Sequence, residues 1–271
     1  MAKDTNILAT SNDPAQLSKT SVEFAASDQT ADHTVLLHHL NAAGFLGRLD
    51  SAADLAMSAP KSLRVAKVIK TLRDNPTPVS KQTLIGLSRG GGFIAEEPRQ
   101  WLLIYALVVV RPPPPEVISF WDAQCHPDAD YPNDAANAIC DNATKESMAL
   151  MEKKLVTPDF ENERKIAWMR GPMIRHRNDL PLLEASERMI TTTLPMELRP
   201  SLVQALCDYS PRWYYSCDPP KPPPRALASK PALAVLRRIC EYSEAKLTLE
   251  PEVEAAVEKT LIEVDALEHH S

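Results

Sequence analysis

The stretch Arg199-Pro-Ser-Leu-Val-Gln-Ala-Leu-Cys-Asp-Tyr-Ser210 returns as Lys230-Pro-Ala-Leu-Ala-Val-Leu-Arg-Arg-Ile-Cys-Glu-Tyr-Ser243, once two residues are inserted between the Pro and the Cys. Each copy reads basic residue, Pro, small residue, Leu, then Cys, acid, Tyr, Ser. The prolines are 31 positions apart (200 to 231) and the cysteines and tyrosines 33 (207 to 240, 209 to 242), within the range of two-helix repeats. A proline at the front of an amphipathic run marks a helix start, because the first turn has no use for the missing N–H.

The same punctuation recurs at Pro60, Pro98, Pro115, Pro132, Pro158, Pro181, Pro195, Pro200, Pro231 and Pro251. After Pro60, Leu63, Ala66, Ile69 and Leu72 form one apolar stripe with Lys61, Arg64, Lys67 and Lys70 beside it, and Pro76 and Pro78 close the run. An earlier helix is predicted from His33, with Leu36, Leu37, Leu40, Phe45, Leu46 and Leu49 on its apolar side. Strand alternation is almost absent, and Val108-Val109-Val110 continues a helix-like pattern from Trp101. With 24 prolines and only 7 glycines, glycine-dependent folds such as Rossmann units and hairpin arrays are excluded. The fold class predicted is all-α. Residues 1–31, rich in Ser, Thr, Asp, Asn, Gln and Ala, read as a disordered or loosely held tail; 32–267 form the helical domain and 268–271 a short C-terminal tail.

These Pro-started helix pairs, and the terminal unit Pro251-Glu-Val-Glu-Ala-Ala-Val-Glu-Lys-Thr-Leu-Ile-Glu-Val-Asp265, resemble the HEAT-repeat family over roughly residues 32–267. The resemblance implies an irregular right-handed α-solenoid of HEAT-like helix pairs, with a continuous surface suited to an extended partner. A compact bundle with accidental repeats is the alternative architecture.

Thirty basic against 36 acidic side chains give a net charge of −6, so no broad positive field attracts nucleic acid, which has to be argued from a local patch. The longest apolar run, Trp101 to Val110, is ten residues, about half a bilayer crossing, so no membrane span is expected. The polar opening shows no secretory signal, which points to the cytoplasm. Five cysteines without a CxxC pair read as reduced thiols, with Cys207 and Cys240 expected among apolar neighbours on helices.

Two groups are candidate sites. Arg164, Lys165, Trp168, Arg170, Arg175 and Arg177 form the strongest local cationic cluster, an anion or nucleic-acid candidate because guanidinium forks match phosphate oxygens and Trp stacks on bases. Arg212, Trp213, Tyr214 and Tyr215, followed by the Pro220-x-x-Pro223-x-Arg225 run, form a protein-binding candidate, since Trp, Tyr and Arg dominate interface energetics and polyproline segments dock at low entropic cost. Ser88-Arg-Gly-Gly-Gly-Phe93 lacks the strand and Lys of a phosphate loop, and Gly90 reads as a helix terminator. Cys125, His126, Asp128, Asp130 and Cys140 lack zinc spacing. No nucleophile elbow or His-Glu-x-x-His occurs. The expectation is therefore a non-catalytic protein-binding scaffold or adaptor with no catalytic residue, metal or cofactor. The alternative is a nucleic-acid-binding or DNA-glycosylase-like HEAT protein using the Arg/Trp patch.

Overall fold

The structure, a computed structural model, describes residues 69–70, 72–74, 76, 78–89, 97–208 and 223–269. The expected tail 1–31, the helix from His33, most of the helix opened by Pro60, Gly90 to Gly92, the cluster Arg212 to Tyr215, and Pro220 lie outside these residues. Every regular element among the described residues is helical. The chain divides into two compact units at Trp121 and Asp122.

In the first unit, α1 (Pro78–Arg89) packs on α2 (Glu97–Ala106). Leu84, Leu103, Ile104 and Leu107 are fully buried there. The predicted continuation through Val108-Val109-Val110 fails: α2 gives way to a 3-10 turn, Leu107–Val109, and Val110 is extended. Three successive β-branched side chains crowd the preceding helical turn, and the prolines that follow supply no N–H to extend it. α3 (Pro115–Gln124) then carries Trp121, also fully buried, whose indole Nε1 donates to the Ile104 carbonyl at 3.2 Å.

The second unit contains α4 (Pro132–Asn142), α5 (Lys145–Val156), α6 (Asn162–Arg170), α7 (Leu180–Arg188), α8 (Arg199–Cys207), α9 (Lys230–Lys246) and α10 (Pro251–His269). Successive helices alternate between two rows. In one, α5 packs on α7 and α7 on α9; in the other, α4 packs on α6, α6 on α8 and α8 on α10. Contacts of α4 with α5, α8 with α9, and α9 with α10 join the rows. The sequence cause is one apolar stripe per helix: α10 buries Val253, Val257, Thr260 and Val264, spaced by three and four residues, and α9 buries Leu233, Leu236, Ile239 and Cys240. Each fully buried aliphatic side chain contributes about 1.5–3 kcal/mol, so the packed stripes outweigh intrinsic helix propensity.

Proline placement follows the expected logic at most positions. Pro98, Pro115, Pro132, Pro181, Pro200, Pro231 and Pro251 occupy the first or second position of their helices. Pro158 and Pro195 instead lie in the turns ahead of α6 and α8. The two copies of the Cys-acid-Tyr-Ser motif open as α8 and α9, which pack against each other from opposite rows. Their 31–33-residue offset therefore relates neighbouring helices and is not the step from one helix pair to the next.

The joint between α4 and α5 is fixed locally. Ala143 sits in the left-handed region at φ 52°, a strained conformation for a residue with a Cβ. Thr144 caps α5 reciprocally: its Oγ1 accepts from the Ser147 N–H at 3.3 Å while its own N–H donates to Ser147 Oγ at 3.0 Å. The Thr144 hydroxyl also donates to the fully buried Asn142 Oδ1 at 2.8 Å. Thr144→Ala should lower unfolding free energy by about 1–2 kcal/mol in denaturant titration, while Thr144→Ser stays within about 0.5 kcal/mol of the native chain. An alanine variant as stable as wild type would show that the cap does not hold the joint.

Candidate functional site

The cationic cluster predicted at 164–177 does not assemble as one surface. Trp168 is buried against Phe160 with ring centroids 4.7 Å apart, and its Nε1 donates to Asn133 Oδ1 at 3.0 Å. Arg164 lies over the other partner of that pair, 5.6 Å from the Phe160 ring centre. Lys165 is buried and donates to the Thr157 carbonyl; burial holds its ammonium below the usual range. Arg170 donates to Gln204 Oε1 at 2.6 Å, and Arg175 pairs with Asp141 at 2.9 Å. These side chains tie helices together, and Trp168 offers no exposed face for a base.

Arg177 is the exception, and the fold brings it to a residue of the other candidate group. It follows the 3-10 turn Met173–His176, and its Nη2 donates to the Pro223 carbonyl at 3.4 Å. Asn178 Nδ2 adds a bond to the Pro224 carbonyl at 2.8 Å. The Pro223-Pro224 segment is thereby held ahead of the 3-10 turn Arg225–Leu227, which carries Arg225 into the interior with only 2% of its surface exposed. Arg225 Nη2 donates to the Leu206 carbonyl in the last turn of α8, and its Nε lies 3.3 Å from Glu263 Oε2 on α10.

Arg177 and Arg225 line a cleft of about 750 Å³ with Cys207, Asp208 and one face of α10. From α10 come Glu252, Ala255, Ala256, Lys259, Glu263 and Ala266; 252, 256, 259, 263 and 266 follow one another at three- and four-residue steps on one side of the helix, with Ala255 beside them. The three alanines keep this wall low, Thr260 connects it to the buried stripe, and Ile262 stands on it exposed. Each of the two lining arginines keeps one buried donor without a hydrogen-bond partner, Arg225 Nη1 and Arg177 Nε. Arg175 Nε shares that condition, but Arg175 does not line the cleft and already holds Asp141. A buried unsatisfied donor costs roughly 1–3 kcal/mol, more when charged. Burial first, and the like charge of Arg225 second, pull the Arg177 guanidinium down to about 10. An acceptor with negative charge would satisfy both donors and relieve the repulsion between the guanidinium groups.

Neither the prolines nor the cationic cluster signalled the α10 wall or Thr260 and Glu263. Their only sequence mark is an Ala-Ala step inside an acidic helix, which by itself says nothing about a cleft. Among the described residues no three His, Cys, Asp or Glu side chains converge on a possible metal position. Comparison with family models, curated proteins and solved structures found no match for the chain.

The backbone turn that presents Arg177 is pinned by His176. Its Nδ1 is 2.8 Å from Asp179 Oδ2 and its Nε2 is 3.3 Å from Asp141 Oδ1, the oxygen Arg175 also engages. Burial opposes the imidazolium, but the two carboxylates outweigh it and raise His176 above its usual range. A raised folded-state value contributes stability that is complete below about 6.5, the unfolded value, and is lost as pH rises through the folded one. His176→Gln should therefore cost on the order of 1 kcal/mol more at pH 5.5 than at pH 8.5 in denaturant titrations. An equal cost at both values would show that the charged imidazole is not what holds the turn.

Proposed function

We propose that this chain is a non-catalytic protein-binding scaffold or adaptor built from HEAT-like helix pairs, and that its cleft receives an acidic segment of a partner protein. One observation carries the reading: Arg177 and Arg225, which line the cleft, each keep a buried N–H donor without a partner. Those donors suit a carboxylate or phosphate oxygen. Exposed Ile262 on the cleft wall and Leu227, 74% exposed and two residues beyond Arg225, offer apolar contact beside the charge. Arg is among the residues that dominate interface hot spots. The alternation of helices in two rows supports the solenoid reading, because stacked pairs repeat the same neighbour contacts along the chain. Among the described residues no helix is long and apolar enough to cross a membrane, which fits the proposed cytoplasmic role. The nucleic-acid alternative loses support from the engagement of Trp168, Lys165, Arg170 and Arg175 within the helical packing.

The test is site-specific photo-crosslinking in the native cell, with benzoylphenylalanine in place of Ile262 and, as the control, of Met196, which is exposed but outside the cleft. Position 262 should capture a protein that position 196 does not, and when the lysate is irradiated in place of the cell, excess inorganic phosphate added beforehand should suppress capture. Arg177→Gln, checked for folding by circular dichroism, should weaken the purified pair about 10- to 100-fold, the loss of one charge-assisted hydrogen bond. Capture of nucleic acid at position 262 would overturn the proposal in favour of the alternative. Capture indistinguishable from position 196, or unaffected by Arg177→Gln, would overturn it outright.

A further inference from the structure

The repeated Cys-acid-Tyr-Ser motif has a chemical consequence separate from the binding cleft. Cys207 is the last residue of α8 and Cys240 lies within α9, and the packing of these helices brings the two Sγ atoms to 3.7 Å. Cys240 is fully buried, whereas Cys207 is partly exposed and lines the cleft. Of the two residues, Cys207 is the one at the cleft wall, and Cys240 packs behind it. A disulfide has sulfurs about 2.05 Å apart, so rotamer adjustment and a small approach of two already packed helices would close the bond.

We propose that Cys207 and Cys240 form a hydroperoxide-responsive thiol pair, with Cys207 as the attacking sulfur and Cys240 as the resolving one. The surroundings assign these roles. The hydrogen bond from Cys240 outweighs burial and, with Arg225, Thr260 and Arg177, holds the Cys207 thiol below its usual range. The same bond, with burial, pushes Cys240 up. A cysteine at a cleft wall with cations beside it is the more reactive kind. Cys125 and Cys140 are buried, and burial pushes Cys125 up to about 12 and Cys140 well above its usual range, which makes them internal controls.

The chemistry balances with hydrogen peroxide as oxidant. The Cys207 thiolate attacks one peroxide oxygen, the O–O bond breaks, and the departing hydroxide takes a proton to leave as water. This forms Cys207 sulfenic acid. Cys240 sulfur then attacks the Cys207 sulfur, the S–O bond breaks, and the leaving oxygen departs as a second water with the Cys240 proton. Two thiols and one peroxide become one disulfide and two waters, and a dithiol reductant reverses the change.

This inference goes beyond the binding reading and does not rest on it. The full-length protein is treated with graded hydrogen peroxide, alkylated, and examined by intact mass and peptide mapping. The expected product has lost two hydrogen atoms and two alkylation sites, mapped to Cys207 and Cys240, and regains both on treatment with dithiothreitol. Cys207 should react at least tenfold faster than Cys125 or Cys140 in the same sample. Cys240→Ser should stop at a Cys207 sulfenic acid trapped by dimedone. The wild-type competition stands even where a serine variant fails to fold. Oxidation of Cys207 no faster than of Cys125, or its pairing with Cys217 in place of Cys240, would overturn the proposal.

Discussion

Arg225 is the interaction on which the C-terminal helical unit turns. A guanidinium with 2% of its surface exposed has surrendered most of its hydration, a penalty of several kcal/mol unless partners replace the water. It recovers part of that through the Leu206 carbonyl at the end of α8 and the Glu263 carboxylate on α10. Arg225 thus joins two neighbours of one row through a segment that belongs to neither helix. Glu263 is about half exposed, so its compensation is screened by solvent. The unsatisfied remainder at Arg225 Nη1, and the nearby like charge of Arg177, leave the cleft electrostatically incomplete. A stable core could have been built more cheaply with apolar side chains, and this incompleteness is the physical reason the cleft is read as a place for a ligand.

The rest of the unit surrounds that pin with ordinary means. Five of its seven helices begin at prolines, each buries one stripe, and they meet their second neighbours in two rows. Lys154, Lys165 and Arg199 are buried with partners. Lys154 is buried against Asp122 at 2.6 Å, with its Nζ also on the Asp122 carbonyl oxygen at 2.9 Å. Asp122, which Lys153 also meets at 2.8 Å, stays below the usual carboxylate range, because Lys153 and Lys154 outweigh the burial that opposes its charge. Arg199 is likewise buried and donates to the Leu194 carbonyl at 2.8 Å. These completed pairs set off Arg177 and Arg225, whose donors are not all used.

Much of the fold was legible in the sequence. Stripe periodicity and proline placement marked an all-helical chain, and seven prolines open helices where the first turn tolerates them. The errors have local causes. At Val108 to Val110 an apolar pattern was read as helix although three β-branched residues and a proline run favoured its end. The Cys-acid-Tyr-Ser copies suggested a helix-pair step, but similar stripes on two adjacent helices produce the same spacing. The candidate site was legible in pieces only. Arg177 and Arg225 were each singled out, but within different groups, and of the rest of the cationic cluster Lys165 and Trp168 are buried while Arg170 and Arg175 engage Gln204 and Asp141.

The sequence by itself determined where helices start, which side of each is apolar, and that the net charge opposes broad anion attraction. These are properties of residues within one or two turns of each other, and local sterics and periodicity decide them. The tertiary structure alone decided which cations have partners and which sulfurs meet. Arg177 and Arg225 are 48 positions apart, and Cys207 and Cys240 are 33 apart. Their proximity follows from how rows of helices stack, and stacking depends on the shape of whole packed faces, which no local pattern records.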